Sequence, residues 1–156
     1  MLPAHVEQPK EVQNIIADKI ALLEAGLQDL LANGGTPLDM EKNLKHTFTD
    51  GVYIREMYIP ADSCIVGKIH KHDHLNFILF GTVTVLTKDG LETLTGPCSM
   101  ISTAGTKRAL YTHTDTIWTT VHANPTNETD LEKLEAAIIA PSYDSLLEDK
   151  TEEQTK

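Results

Sequence analysis

Apolar residues recur along the chain in two rhythms. Between Glu11 and Ala32, Ile16, Ile20, Leu23, Leu27 and Leu30 are spaced by four, three, four and three, which is an apolar stripe on one face of a helix. Asn33-Gly34-Gly35 follows and stops it, since Gly suits the left-handed position after a helix. Two placements are open. The stripe keeps the heptad rule for nearly three heptads and suits a short coiled-coil seam; equally, the helix could lie against the side of a sheet. Gly26 costs about 1 kcal/mol relative to Ala, so the helix needs packing from elsewhere.

Thr36–Asp50 has little pattern and reads as a linker. The rhythm then shortens. Val52–Ile59, Cys64–His70, Asn76–Phe80, Thr82–Thr87, Leu91–Leu94, Ser99–Thr103, Arg108–Thr112 and Thr116–Ala123 are short runs rich in Val, Ile, Thr, Tyr and Phe, the composition of strands. Pro60-Ala-Asp62, Lys88-Asp-Gly90, Gly96-Pro97, Ala104-Gly105 and Asn124-Pro125 separate them. Eight short strands at this spacing predict an all-β sandwich or barrel. A second helix is predicted over Asp130–Ala140: Thr129 and Glu132 make a capping-box pattern, Leu131, Leu134 and Ile138 form the stripe, and Pro141 ends it. The expected organisation is an arm, helix and linker over 1–50, a β domain over 51–125, a packed C-terminal helix over 126–146, and a disordered acidic tail over 147–156.

A chain of 156 residues predicts one domain. Its net charge of −10 argues against nucleic acid and anionic membrane as partners, since both select Lys/Arg patches. Two cysteines, Cys64 and Cys98, are too few for a disulfide framework; a single bridge is open to them, and free thiols in a reducing compartment are the expected state. Met1–Lys10 is polar and lacks the apolar region of a signal peptide, and no apolar run approaches the ~20 residues of a membrane span. The expectation is a soluble cytoplasmic protein.

Candidate chemistry concentrates in Gly67–Gly81, GKIHKHDHLNFILFG, where His70, His72 and His74 occupy alternate positions. On an extended strand all three share one face, and three neutral imidazoles suit a divalent transition metal such as Zn, Fe, Mn or Ni. His70 and His72 would lie ~6.6 Å apart and His70 and His74 ~13 Å apart on a straight strand. The latter pair can share an ion only if the chain bends between them, and Asp73 fits a turn. On the last strand Thr116, Trp118, Thr120 and His122 share a face, so His122 is a further candidate ligand. Its other reading is a half-buried histidine bonded to a carbonyl.

Gly67–Gly81, with Gly96-Pro97 and Ala104-Gly105-Thr-Lys-Arg108, resembles the two motifs of the cupin superfamily over roughly Val52–Ala123. The overall pattern is similar to small cupin-like proteins encoded by tailed bacteriophages. The resemblance implies a jelly-roll barrel, often with a metal inside, and a bend between His70 and His74. It aligns His74 with the family's glutamate ligand, His70 with its second histidine, Lys68 with its first, and Arg108 with the histidine of the second motif. Two of four usual ligands are thereby replaced. The implied order of metal ligands is His70 and His74, then His72, with His122 added from the last strand. The resemblance also implies pairing of barrels through their sheets, hence a homodimer or higher oligomer.

Four further residues are candidates for binding a small anionic ligand. Arg108 could grip a carboxylate or phosphate by its two-pronged guanidinium, or pair with Asp62 or Glu56. Asn76 could orient a ligand or bond to a neighbouring strand. Trp118 and Tyr111 could line a pocket or pack in a core. His113 reads as a surface residue, and His5 and His46 carry no signal. The sequence lacks G-x-S-x-G, Walker, GxGxxG and CxxC patterns. Two functions compete: a metal-dependent cupin enzyme or binder, and a non-enzymatic scaffold, such as a phage accessory or virion component, assembled through the N-terminal helix.

Overall fold

The computed structural model describes residues 8–147, so most of the expected arm and tail, and His5, lie outside the described residues. The chain begins with helix α1 (Lys10–Ala32) and a single turn, α2 (Met40–Asn43), capped by the Asp39 side chain on the Lys42 amide. Strands β1 (Leu44–Thr49), β2 (Val52–Ile59), β3 (Cys64–Val66), β4 (Ile69–His70), β5 (His74–Phe80), β6 (Thr82–Thr87), β7 (Gly90–Thr95), β8 (Cys98–Ser102), β9 (Ala109–Thr112) and β10 (Thr116–Ala123) follow, then helix α3 (Leu131–Ile138) and β11 (Ile139–Ala140).

Two antiparallel sheets face each other, in the orders β1-β2-β10-β5-β8 and β3-β9-β6-β7. The pairs β2–β10, β3–β9, β5–β8 and β6–β7 nest inside one another. That nesting is a long hairpin rolled up, the jelly-roll arrangement. The innermost turn is Lys88-Asp89, with Gly90 at φ +121° closing it, a backbone state that favours glycine. The fold is therefore all-β at its centre with helices added, as the period-two runs predict.

Three expectations need correction. The barrel is not closed: β4 pairs with β11 in a small separate sheet, so no continuous ladder joins the two large ones. The break comes at Gly67-Lys68, which divides the expected run Cys64–His70 into β3 and β4. The linker contains a strand. In Leu44–Thr49, alternate residues Leu44, His46 and Phe48 are half-buried and the others exposed, and the strand pairs with β2 along its whole length. Helix α3 starts one residue later than expected, because Asp130, not Thr129, accepts from the Glu132 and Lys133 amides. It also ends at Ile138, since Ile139-Ala140 leaves the helix to pair with β4.

Between the sheets Ile59, Ile78, Val83, Val85, Leu110 and Trp118 form one buried cluster, joined by Met57, Ile65, Leu94, Cys98 and Met100. Tyr53, Leu134 and Ile138, with Phe48 and Ile139, form a second under α3. Helix α1 touches β3 and β6 and is tethered by Lys107 to Glu24. Only part of its stripe is used: Ile20 is buried, while Leu23 and Leu30 are exposed.

Candidate functional site

Alternation and register set the inner face of the larger sheet. Tyr53, Arg55, Met57 and Ile59 of β2 lie beside His122, Thr120, Trp118 and Thr116 of β10. Asn76 and Ile78 of β5 lie beside Thr120 and Trp118 in turn, and Ser102 of β8 pairs with His74. One end of this face is apolar and packs into the core. The other end carries His74, Asn76, Ser102, Thr120, His122 and Arg55.

The chain then brings a third imidazole over the polar end. After β4 it turns through Lys71–Asp73 into β5. The Asp73 carboxylate accepts from the Ala104 amide at 2.8 Å and pins that turn. The bend overcomes the separation a straight strand would impose: the His70 and His74 ring centroids are 4.1 Å apart, His70 and His122 5.3 Å, and His74 and His122 4.8 Å. Backbone pairing of β4 with β11 and of Lys71 with Ile138 holds His70 there.

The three rings are neutral at physiological pH. Burial pushes His70 down to about 3, with the charges of His74, His122, Arg108 and Arg55 adding to the effect. Burial pushes His122 down to about 4, helped by His74 and Arg55. His74 is lowered chiefly by burial, opposed by its backbone hydrogen bond to His72 and slightly by Asp73, with Arg108 adding to the lowering. That bond sets the tautomer. His74 Nδ1 lies 3.3 Å from the His72 carbonyl oxygen, which only accepts, so Nδ1 carries the proton. The lone pair is then on Nε2, which is buried and has no hydrogen-bond partner among the described residues.

Do these residues fit a metal? Three imidazoles bound at about 2.1 Å in tetrahedral directions would place their centroids about 5 Å apart, close to the separations seen. A histidine ligand that gives its other N–H to a carbonyl is the usual supporting arrangement. The rings are inclined at 15–39° to one another, and among the described residues no three His, Cys, Asp or Glu side chains stand in an ion-holding arrangement as they are. The spacing and tautomer fit; the nitrogens converge only after ring rotation.

Beside the rings lies a donor-rich cluster. Arg108, 9% exposed, donates to Asn76 Oδ1 at 3.3 Å and to Ser102 Oγ, and its guanidinium stands 5.5 Å above the Trp118 ring. Asn76 Oδ1 also accepts from Trp118 Nε1 at 3.0 Å, and Asn76 Nδ2 donates to Ser102 Oγ at 2.8 Å. Burial lowers Arg108 to about 10, so it remains charged. The alternative partners do not reach it: Asp62 accepts from Tyr111 Oη, and Glu56 faces outward beside Lys45.

Two candidates lie elsewhere. His72 is exposed in the turn, its ring outside the stacked trio. Tyr111 is 40% exposed because Leu110 takes the inward position on β9. Three residues without a sequence signal belong to the site instead. Tyr53 stacks on His122 at 5.8 Å, its hydroxyl 2.8 Å from His46 Nδ1, and Arg55 faces the same interior. The alternation Tyr53, Arg55, Met57, Ile59 and Leu44, His46, Phe48 was the signal that could have found them.

No protein-family model matches this sequence, and no curated protein does. Among solved structures, similar chains include a cupin-2 domain protein from Shewanella frigidimarina, with 8% identity and a TM-score of 0.45 over 63% of this chain and 92% of that one. KdgF from Halomonas sp. overlays at 10% identity and a TM-score of 0.47, over 64% of this chain and 93% of that one. Ectoine synthase from P. lautus overlays at 13% identity and 0.47, over 60% and 73%. At this distance none of them lends a residue role or an activity to this chain.

Proposed function

We propose that this chain is a cupin-like protein that holds a divalent transition metal, Zn, Fe, Mn or Ni, on His70, His74 and His122 between its sheets, with a small anionic ligand near Arg108. The observation that carries this reading is the buried Nε2 of His74, unpartnered among the described residues, its tautomer set by the His72 carbonyl, within ring-contact distance of two other neutral imidazoles. A bound ion with open positions would polarise an acid or carbonyl group or activate water. The chain's own part is to keep three rings neutral, hold His70 against His74 through the pinned turn, and back His122 with Tyr53, which α3 covers. Free Cys64 and Cys98 support a reducing, cytoplasmic setting, and among the described residues no helix is long and apolar enough to cross a membrane.

Elemental analysis and Co(II) titration test the reading. The expected result is about one ion per chain, with the visible absorption of a tetrahedral site, lost in His74→Ala and His122→Ala. Wild-type protein that takes up no Zn, Co, Fe, Mn or Ni overturns it.

A second reading has its own observation. On α1, Ile15, Leu22 and Leu30 are 55, 75 and 59% exposed and lie toward one side of the helix, an apolar surface that a second copy would cover in a non-enzymatic scaffold, such as a phage accessory component. Light scattering at micromolar concentration tests it, with a dimer or higher expected and a monomer refuting it.

A further inference from the structure

In a chain of net charge −10, two arginines occur, Arg55 and Arg108, and the fold turns both toward the imidazole cluster. Arg55 lies between Tyr53, which stacks on His122, and Met57, which packs on the core. Alternate residues of a strand share a face, so Arg55 points inward, opposite Thr120 and His46. Arg108 is buried against Asn76, Ser102 and Trp118. Arg55 thus stands beside Thr120 of β10, whose other neighbour is Asn76 of β5, and Arg108 bonds to that Asn76 and to Ser102 of β8.

Neither charge is compensated. Among the described residues the ion pairs are made by lysines. The nearby acids are engaged elsewhere: Asp73 with the Ala104 amide, Glu135 with Lys68, Asp62 with Tyr111. Hydrogen bonding shows the same excess. Ser102 Oγ accepts from both Asn76 and Arg108, which leaves its own proton without an acceptor among the described residues. Asn76 Oδ1 already accepts from Trp118 and Arg108. A guanidinium carries five N–H donors, and Arg108 has two acceptors. A buried charge held without a counter-charge is costly; Arg108 is such a charge, and half-buried Arg55 adds a second on the same inner face.

We propose that this interior binds a small dicarboxylate, one carboxylate on Arg108 and the Ser102 hydroxyl, the other on Arg55, with the carbon chain lying across the imidazoles. Carboxylates match the fork of a guanidinium. Arg108 is bonded at β5 and β8 and Arg55 stands on β2, with β10 between β2 and β5; a two-ended dianion suits charges so spaced better than a single-centre oxyanion. The inference rests on the reading of the interior as a ligand chamber, and its charge argument needs no ion.

The test is calorimetric titration of malonate, succinate and glutarate into protein freed of metal on a chelating resin, and again after loading with Zn. Acetate and inorganic phosphate at matched ionic strength serve as comparisons. At least one dicarboxylate is expected to bind once per chain, tenfold or more tighter than acetate or phosphate, in the metal-free protein. Arg55→Gln, at a less buried position than Arg108, should retain the wild-type circular dichroism and weaken that binding at least tenfold; Arg108→Lys, which keeps the charge but loses the fork, should weaken it similarly. Absence of dicarboxylate binding in both forms, equal binding of phosphate or acetate, or undiminished binding in folded Arg55→Gln overturns the proposal. Dicarboxylate binding without metal uptake keeps this site and removes the ion; metal uptake without dicarboxylate binding does the reverse.

Discussion

Acidifying the metal-free protein should unfold it through His70 and His122. Their folded-state values are about 3 and about 4, against about 6.5 for an imidazole in an unfolded chain. A base whose value is lowered by folding is protonated more readily when unfolded, so the unfolded state gains protons first as pH falls. The stability these rings contribute is complete above about pH 6.5 and is lost progressively toward pH 3. Between pH 8 and pH 5 each ring gives up about 2 kcal/mol, or about 4 kcal/mol for the pair, an upper figure because both rings keep some contact with water and interact. His74 adds in the same direction. Relief of repulsion in a chain of charge −10 acts the opposite way, so the informative quantity is a difference between variants. Urea unfolding at pH 8 and pH 5 supplies it, for wild type, His70→Gln and His122→Gln. Each variant should lose about 2 kcal/mol less than wild type on acidification. A wild-type stability that stays level to within about 1 kcal/mol, together with variants that follow the same pH slope, would refute neutral, desolvated rings.

Three other outcomes follow from packing. Gly81→Ala should cost about 3 kcal/mol or more, or give no soluble protein, because Gly81 has φ +97° and a Cβ there would sit 2.3 Å from the Asp115 carbonyl oxygen; expression yield and thermal melting check it. Ile78→Ala, at a fully buried site, should cost about 2–5 kcal/mol in urea unfolding, whereas Ile101→Ala, 71% exposed, should stay within about 0.5 kcal/mol. The Lys107–Glu24 pair is partly exposed and should show a double-mutant coupling below about 1 kcal/mol, with Lys107→Ala speeding amide exchange in α1.

The all-β core was legible because its signal is local. Strands with one face in a core alternate, and Val52–Ile59, Thr82–Thr87 and Thr116–Ala123 match β2, β6 and β10 as observed. The edge strand β1 was hidden because its inner face carries Leu44, His46 and Phe48, too few apolar residues to mark alternation in a stretch that looks polar. The end of α3 was hidden for another reason: Ile139-Ala140 would continue the helical stripe, and only the free edge of β4 draws it into a ladder. The face shared by Trp118 and His122 was readable from period two, while Tyr111 was misplaced because alternation alone does not say which face of β9 is inner.

For the candidate site, the sequence determined the supply of imidazoles: three within Gly67–Gly81 and one at His122, with an arginine at position 108. Tertiary structure decided which of them meet. The turn pinned by Asp73 folds His70 back over His74 and leaves His72 outside. The register of β10 against β2 sets His122 beside Tyr53 and Arg55 beside Thr120. The physical reason is that spacing within a strand fixes only which residues share a face. Proximity between strands is set by pairing partners far apart in the chain, and by the charges and rings those partners bring.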